Sequence, residues 1–595
     1  MCGYIGKISF NSIDHNQLKI ANDLMICRGP DNTSSYIDKF NNINYSLLFN
    51  RLKIVDLSDN ANQPMLSEDS NYLVMFNGEI YNHSELRHEL KNIGANFKTK
   101  NSDTEVVLNG FRYLGKDFIQ KLRGQFSICF IDKNKNKAYL ASDRLNQKPL
   151  YYFLQNETLT FSSNLRSLLK SLKHYSIDEK YINEYLMYGI VSSPNTIFKD
   201  IFKMMPGQMI EVEIERSKFN LNKNIYWDPK DHIDNTKFSK DQFFEIFEES
   251  IQIRKNADVP IANFLSGGID STSIIKSLND KNEEINSFSV VFNEEKYNEQ
   301  KWSRLVAEKY KTNHVEINAS VDLGIDQISS ALNSLDEPYS DPSVIPSYLI
   351  SKKISKHYKV AISGDGGDEL LGGYQRTNIA LKNKSLISDL ISKLYKFYPG
   401  ILGSGNFFLS KSKNLNLLYE SFFKDEKFFN LLKIENTHLN QIICIDESLD
   451  DFKSLLLQDY QYYLPEMMMF KIDRTSMQNS LEVRSPFVDH KLVEYVLSTS
   501  LDINGLNIDK NILKNYLLKD FGTEFTTRRK KGFVFDLESW IFNNTSYVSD
   551  TLNKGINSYL IPKNLISKLS INKSRINANR IWKLFVLEYY LSSID

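Results

Sequence analysis

The sequence changes its hydrophobic period near residue 241, and that switch limits the chain to two unlike domains. Before it, short segments rich in aromatic and β-branched residues (Tyr45–Phe49, Tyr72–Phe76, Gln125–Ile131, Lys137–Ser142, Leu159–Ser162) are bounded by Asn, Asp, Gly or Lys. They predict a β-rich region. A short helix is predicted over Ser84–Asn92, where a serine cap precedes leucines four residues apart. After the switch, helical patterns at Gln242–Lys255, from Ser273 and at Trp302–Tyr310 alternate with apolar runs at Ile261–Leu265, Ser287–Phe292 and Lys359–Ile362. That alternation predicts a parallel, doubly wound sheet. Beyond about residue 375 helical patterns dominate. The polar stretch Glu215–Asp241, broken by Pro229, reads as a connection. The predicted division is 2–210, a connection at 211–240, and 241–595.

Composition removes several function classes. Lys+Arg and Asp+Glu each number 73, so no global field draws nucleic acid, and no nucleic-acid partner is expected. Four cysteines in 595 residues cannot form a disulfide framework, which points to a reducing cytoplasm. No secretory pattern follows Met1, and no apolar run reaches the ~18 residues of a membrane span. The nearest run, Phe397–Ser410, is broken by Pro399, Gly400, Gly403 and Gly405. A cytoplasmic protein without a membrane span is expected, and a homodimer is left open.

Met1-Cys2-Gly3 carries the first chemical signal. Removal of Met1 would leave Cys2 with a free α-amine beside its own thiol, so one residue would supply both nucleophile and base. Arg51, after an apolar strand, suits bidentate capture of a carboxylate. Asn77 and Gly78 follow another strand and can pair a side-chain amide with a backbone N–H as an oxyanion hole. Asp103, in Ser102-Asp-Thr-Glu105, offers a carboxylate to an α-ammonium. Singly, these residues also read as a surface charge, a hairpin turn and a helix cap. Together they suit hydrolysis of the glutamine side-chain amide.

A second signal is Phe264-Leu265-Ser266-Gly267-Gly268-Ile269-Asp270-Ser271-Thr272, which joins a strand to a helix. Its glycines let backbone approach an anion at a helix N-terminus, and Asp270 beside phosphate suits Mg²⁺. No lysine follows the glycines, so this is not the P-loop of kinases and GTPases. A third string, Ser363-Gly364-Asp365-Gly366-Gly367-Asp368-Glu369, follows the strand at Lys359–Ile362 and gathers three acidic side chains that suit a metal or a cationic group.

These strings, with Arg28-Gly-Pro-Asp31 and Phe76-Asn-Gly-Glu-Ile-Tyr-Asn82, resemble the glutamine-hydrolysing asparagine synthetases. The resemblance covers nearly the whole chain and is weakest over about 380–450. It implies an α+β N-terminal-nucleophile sandwich, with stacked antiparallel sheets between helices. An α/β ATP pyrophosphatase domain with a helical carboxyl-terminal part would follow it. It implies attack by Cys2, an oxyanion held by Asn77 and Gly78, and glutamine bound by Arg51, Glu79 and Asp103. It further implies ATP contacts from Leu265, Ser266, Gly267, Gly268, Asp270, Ser271, Val290, Ser363 and Gly364, with Mg²⁺ on Asp270 and Asp368. Lys510, with Lys514 as its rival, would stabilise the transferring phosphorus. Arg528–Phe533 resembles the family's carboxyl-terminal basic motif, and Ser480–Phe487 is family-like without an assigned role. Cys27 stands where the family usually has His, and Asp365 where it usually has a Glu associated with forming the acyl-adenylate. The implied substrates are small molecules: glutamine, ATP and aspartate. Another carboxylate, such as a uronic acid of a surface polysaccharide, stays open as acceptor, and Asp336–Pro346 is the segment expected to contact it. A ring-closing synthetase would not need Cys2 with a glutamine clamp, and the ATP loop disfavours class II amidotransferases that feed phosphoribosyl or fructose-phosphate domains. A non-catalytic sensor would have lost Cys2, Asp270 or the paired glycines, and a simple glutaminase would have no use for the second half of the chain.

Overall fold

The computed structural model describes residues 2–215, 217–291, 299–318, 324–382, 386–433, 445–446, 448–500, 509–528, 535–555, 562 and 564–594. The first domain stacks two six-stranded antiparallel sheets. One runs in the order Ile201–Lys203, Tyr151–Gln155, Thr158–Ser162, Gly3–Ser9, Ile43–Arg51, Asn32–Phe40. The other runs Lys218–Ile225, Gln208–Glu215, Lys137–Ser142, Gly124–Asp132, Tyr72–Ile80, Met65–Leu66. Alternate residues of each strand face the partner sheet, so Tyr4, Ile8, Leu47, Phe49, Leu73, Met75, Ile131 and Leu140 fill the space between them. On the outer faces, helix His15–Asp23 buries Leu18 and Ala21 against Ile5 and Leu48. Helices His83–Asn92 and Asp103–Leu114 bury Leu86, Leu90, Val107 and Phe111 against Phe76, Ile128 and Phe130. The predicted helix at Ser84–Asn92 is present and starts one residue earlier.

The stretch expected as a connection, 211–240, instead begins inside the second sheet. Gln208–Glu215 pairs antiparallel with Lys218–Ile225, from Gln208 opposite Ile225 to Glu215 opposite Lys218. The second of these is an edge strand with mostly exposed residues. A polar edge strand carries no apolar alternation, which is why its sequence reads as a linker. The link proper starts after Ile225.

The second domain holds a five-stranded parallel sheet, ordered Asn313–Asn318, Asn286–Val291, Ile261–Phe264, Val360–Ile362, Glu482–Arg484. Helices follow its strands, and a helical region packs around Trp582, Phe585 and Tyr590 of the long helix Arg575–Ser592. The helix after the first glycine-rich loop spans Ile269–Asp280, four residues longer at its start than the pattern from Ser273 predicts. Phe292, the expected end of a strand, lies outside the described residues.

The two halves meet along a buried polar seam. Asp473 of helix Phe470–Met477 accepts from Arg28 Nη1 and Nη2 at 2.9 and 3.2 Å and from Lys148 Nζ at 3.4 Å. Asp489 accepts from Arg123 Nε at 3.0 Å and Arg254 Nη1 at 2.8 Å. Arg28 and Lys148 hold the Asp473 carboxyl down at about 2, against the burial that would raise it. Its folded pKa lies below the unfolded value of about 3.9, so its stabilisation is complete above that value and is lost as pH falls towards 2. Asp473→Asn leaves Arg28 and Lys148 buried without a counter-charge. We expect it to cost about 3–5 kcal/mol at pH 7, read as a lowered urea midpoint, with the gap to the parent narrowing in acid.

Candidate active sites

Cys2 sits at the head of the strand Gly3–Ser9, 6% exposed between the two sheets. Its backbone nitrogen donates to Asn77 Oδ1 at 2.9 Å, and its carbonyl accepts from Arg28 Nε at 3.1 Å. Burial pushes the thiol pKa up, so the sulfur holds its proton until a base removes it. Asn77 Nδ2 is buried with no hydrogen-bond partner, an uncommitted donor beside Cys2. At Gly78 the backbone has φ of +152°, and a Cβ there would lie 2.0 Å from Gln125 O. No other residue fits that position.

Glu79 Oε1 is buried and likewise unpartnered, while Oε2 lies 3.3 Å from Arg484 Nη2. Burial, then the neighbouring Asp103 carboxylate, push Glu79 well above the usual carboxylate range. Asp103 opens the helix Asp103–Leu114, accepts from Ile80 N at 3.2 Å and is also pushed up, first by burial. Burial thus disfavours the charged form of both carboxyls, and a cation beside them would offset that cost. Arg51 departs from the simple expectation of a free carboxylate clamp. Its terminal nitrogens donate to Ser58 O at 2.7 Å, Asn62 Oδ1 at 2.9 Å and the Val55 and Asp56 carbonyls, so it pins the loop over the site.

Sequence reasoning missed two residues here. Arg484 comes from the edge strand of the parallel sheet, donates to Glu482 Oε1 at 2.6 Å and reaches Glu79 across the seam. It lies in Ser480–Phe487, the family-like string that carried no role. Arg28 belongs to a quoted motif, and only the fold reveals that it clasps the Cys2 carbonyl. Cys27, beside it, donates to Gln478 Oε1 at 3.3 Å and so packs on the seam.

The second site is a cavity of about 840 Å³ at the carboxyl ends of the parallel strands. Leu265, Ser266, Gly268, Asp270, Ser271, Val290, Ser363, Gly364, Asp365, Asp368 and Lys510 all line it. Gly267 does not, although its φ of +76° and a would-be Cβ 2.6 Å from Ser303 N still demand glycine; its carbonyl accepts from Arg528. Because the helix begins at Ile269, Asp270 and Ser271 sit in its first turn, where free N–H groups favour an anion. The Ser363 hydroxyl is buried and unpartnered.

Lys510 joins the two glycine-rich loops. Its Nζ lies 2.6 Å from Asp270 Oδ2 and 2.5 Å from Asp368 Oδ1. A Cβ on Gly367 would strike Asp270 Oδ1 at 2.7 Å, and one on Gly373 would strike Lys510 Cε at 2.2 Å, so the glycines make room for the convergence. Lys514 instead pairs with Asp509 at 2.7 Å. Two hard carboxylate oxygens beside a phosphate site fit Mg²⁺, which takes one or two protein carboxylates plus phosphate oxygens. Arg528 lines the cavity and stacks on Trp302, its guanidinium carbon 4.7 Å from the ring centroid; residues 529–533 of that basic motif lie outside the described residues, as does Ile508.

The expected acceptor segment splits. Asp341 and Ser343 line the cavity, but Asp336 and Glu337 do not. Asp336 is paired with Arg474 at 2.9 Å, and Glu337 with Lys203 at 3.2 Å and the Tyr151 hydroxyl at 2.7 Å. Their charges are spent on the seam. Lys471, donating to Ser343 Oγ at 3.0 Å, is a cavity cation the sequence did not single out.

The comparisons agree with this two-site architecture. The family model for asparagine synthase matches residues 242–591, and that for the glutamine amidotransferase domain matches residues 1–227. The chain is 27% identical to asparagine synthetase [glutamine-hydrolyzing] 1 of Bacillus subtilis, over 98% of this chain and 96% of that protein. It is 28% identical to asparagine synthetase [glutamine-hydrolyzing] 2 of the same organism, over 90% and 72%. It is 25% identical to amidase chyE of Penicillium rubens, over 88% and 85%. An amino-terminal domain with a buried Cys2 and a parallel-sheet domain with two converging glycine-rich loops thus stand in one chain, which belongs to the asparagine synthase family of glutamine-hydrolysing, ATP-dependent ligases.

Proposed function

We propose that the protein converts aspartate to asparagine, with glutamine as nitrogen donor and a β-aspartyl-AMP intermediate. The observation that carries the synthetase half is the clasp of Lys510 on Asp270 and Asp368, which gathers both glycine-rich loops at one cavity. At the first site, the α-amine of Cys2, freed by loss of Met1, takes the thiol proton, and the sulfur attacks the glutamine amide. Asn77 Nδ2 and Gly78 N–H receive the oxyanion, and Glu79 and Asp103 receive the α-ammonium. Ammonia leaves, and water cleaves the thioester to glutamate.

At the second site, the Ser266–Ser271 loop, Val290, Ser363 and Gly364 seat ATP. The aspartate β-carboxylate attacks the α-phosphorus, pyrophosphate departs, and Lys510 offsets the charge that develops there. Ammonia then attacks the acyl carbon and AMP leaves. Asp270 and Asp368 would hold Mg²⁺, which when bound supplies charge neutralisation for the pyrophosphate. Asp365 stands at the same rim and would position the acceptor, one methylene shorter than a glutamate. Lys471 and Asp341 give the cavity one cation and one anion, which suits an α-amino acid acceptor.

Incubation with ATP, Mg²⁺, glutamine and aspartate, followed by mass spectrometry, should give asparagine with equal pyrophosphate. Glutamate without asparagine would discard aspartate and direct the search to other carboxylates. Cys2→Ala should abolish glutamine-dependent synthesis while free ammonia still supports it. Asn77→Ala should lower the kcat of glutamine hydrolysis about 10²–10³-fold, the usual loss of one oxyanion donor. Lys510→Ala should stop acceptor-dependent pyrophosphate release and spare glutamine hydrolysis.

A further inference from the structure

The segment between the second glycine-rich loop and the helical region contributes little to either site, yet it presents an unusual surface. Residues 386–397 form nearly continuous helical turns, Leu386–Ser392 followed by Lys393–Phe397. Ile387, Leu390, Leu394 and Phe397 recur at helical spacing, within an arc of roughly 80° on one side. A surface helix normally turns such a stripe to the core. Here it points outward: the four side chains are 70%, 61%, 50% and 82% exposed. The less exposed side is mixed, with Ile391 half-buried beside polar groups. Ser392 is buried and donates to Asp389 O at 2.6 Å, and Tyr395 is half-buried against Glu426 and under Lys427. The helix therefore turns four of its large apolar side chains to solvent.

The neighbouring turns continue the surface. Leu402 and Phe407 are 54% and 67% exposed, and helix Asn406–Leu409 packs beside Lys393–Phe397 through Phe408 on Tyr398, ring centroids 5.7 Å apart. Charge sets the partner. Residues 382–413 hold six lysines and one acid, Asp389, in a chain whose net charge is +0. Asp389 Oδ1 is occupied, accepting from Lys413 N at 3.1 Å. Lys393 and Lys396 are exposed and flank the apolar stripe. Two copies meeting face to face would bring these lysines together, which disfavours a symmetric dimer here.

We propose that this face docks on an anionic lipid bilayer, with Ile387, Leu390, Leu394 and Phe397 in the acyl boundary and the lysines at the headgroups. An apolar stripe edged by lysines is the pattern of an interfacial helix, which lies in the membrane plane. No helix among the described residues is long and apolar enough to cross a membrane, so the contact is peripheral.

The test is flotation of the purified full chain with vesicles of equimolar phosphatidylglycerol and phosphatidylcholine, against phosphatidylcholine alone. Binding should be at least about tenfold stronger to the anionic vesicles and should fall in about 0.5 M NaCl. Leu394→Ser with Phe397→Ser should weaken it about tenfold, while glutamine hydrolysis stays at the parent rate as proof of folding. Failure of the parent chain to float with either vesicle overturns the proposal. So does equal flotation of parent and double variant. A parent dimer that the double variant converts to monomer, with no vesicle binding, would assign the face to a second copy and reject the lipid.

Discussion

Asp473 is 1% exposed, at the bottom of the contact between the two halves, and both side chains that hydrogen-bond to its carboxylate, Arg28 and Lys148, come from the other half, with Arg474 of its own half 3.9 Å away. A lone carboxylate in that position would cost several kcal/mol, so the second domain is satisfied there only when the first is docked. The dependence runs both ways, because Arg28 and Lys148 are themselves buried and need the acid. Arg28 has a second bond: its Nε holds the carbonyl of Cys2. The placement of Cys2 in one domain is thus tied, through one guanidinium, to a helix of the other. Arg484 makes the same connection in reverse, reaching from the parallel sheet to within 3.3 Å of Glu79 Oε2.

The clasp at the second site follows similar electrostatics with a different outcome. Asp270 and Asp368 come from loops far apart in sequence, and carboxylates this close repel unless a cation stands between them. Lys510 supplies it from a backbone conformation of φ +57°, preceded by Asp509 at φ +50°. Left-handed conformations at two successive non-glycine residues are uncommon and cluster where surrounding structure over-determines them. Here they carry the chain from beyond residue 508 into the helix Asn511–Thr527 while aiming one ammonium back at both loops.

What was legible in the sequence follows from how local each requirement is. The glycine-rich loops and Asn77-Gly78 were readable because a ligand-cradling backbone forces residue types at fixed spacing. At Gly78 and Gly267 the would-be Cβ clashes show the same constraint in space. The seam was not readable. Arg28 and Asp473 lie 445 positions apart, and nothing near either one marks it as half of a pair. Asp336 and Glu337 open the segment expected to contact the acceptor, whereas in the fold they pair with Arg474 and Lys203. Short or polar strands also escaped: Glu482–Arg484 has three residues, and Lys218–Ile225 and Asn313–Asn318 are too polar to show an apolar rhythm.

Helix Phe470–Met477 lies between the seam and the large cavity. Lys471, Ile472, Thr475 and Ser476 line the large cavity, and Asp473 with Arg474 turns to the seam, where Asp473 binds the same Arg28 that holds the Cys2 carbonyl. The helix continues from a wide π-type stretch, Asp459–Met469, that contains Pro465; such turns pack less regularly than an α-helix and concentrate at functional sites. Between the sites, Gln125, Lys148, Ile472 and Asp473 border a void of only about 10 Å³. That is at the lower limit for a single water, and ammonia is nearly the same size. If ammonia made at Cys2 is to reach the acyl-adenylate, this neck must widen. The helix that borders this neck through Ile472 and Asp473 also lines the large cavity through Lys471, Ile472, Thr475 and Ser476, so a change in its position would alter both.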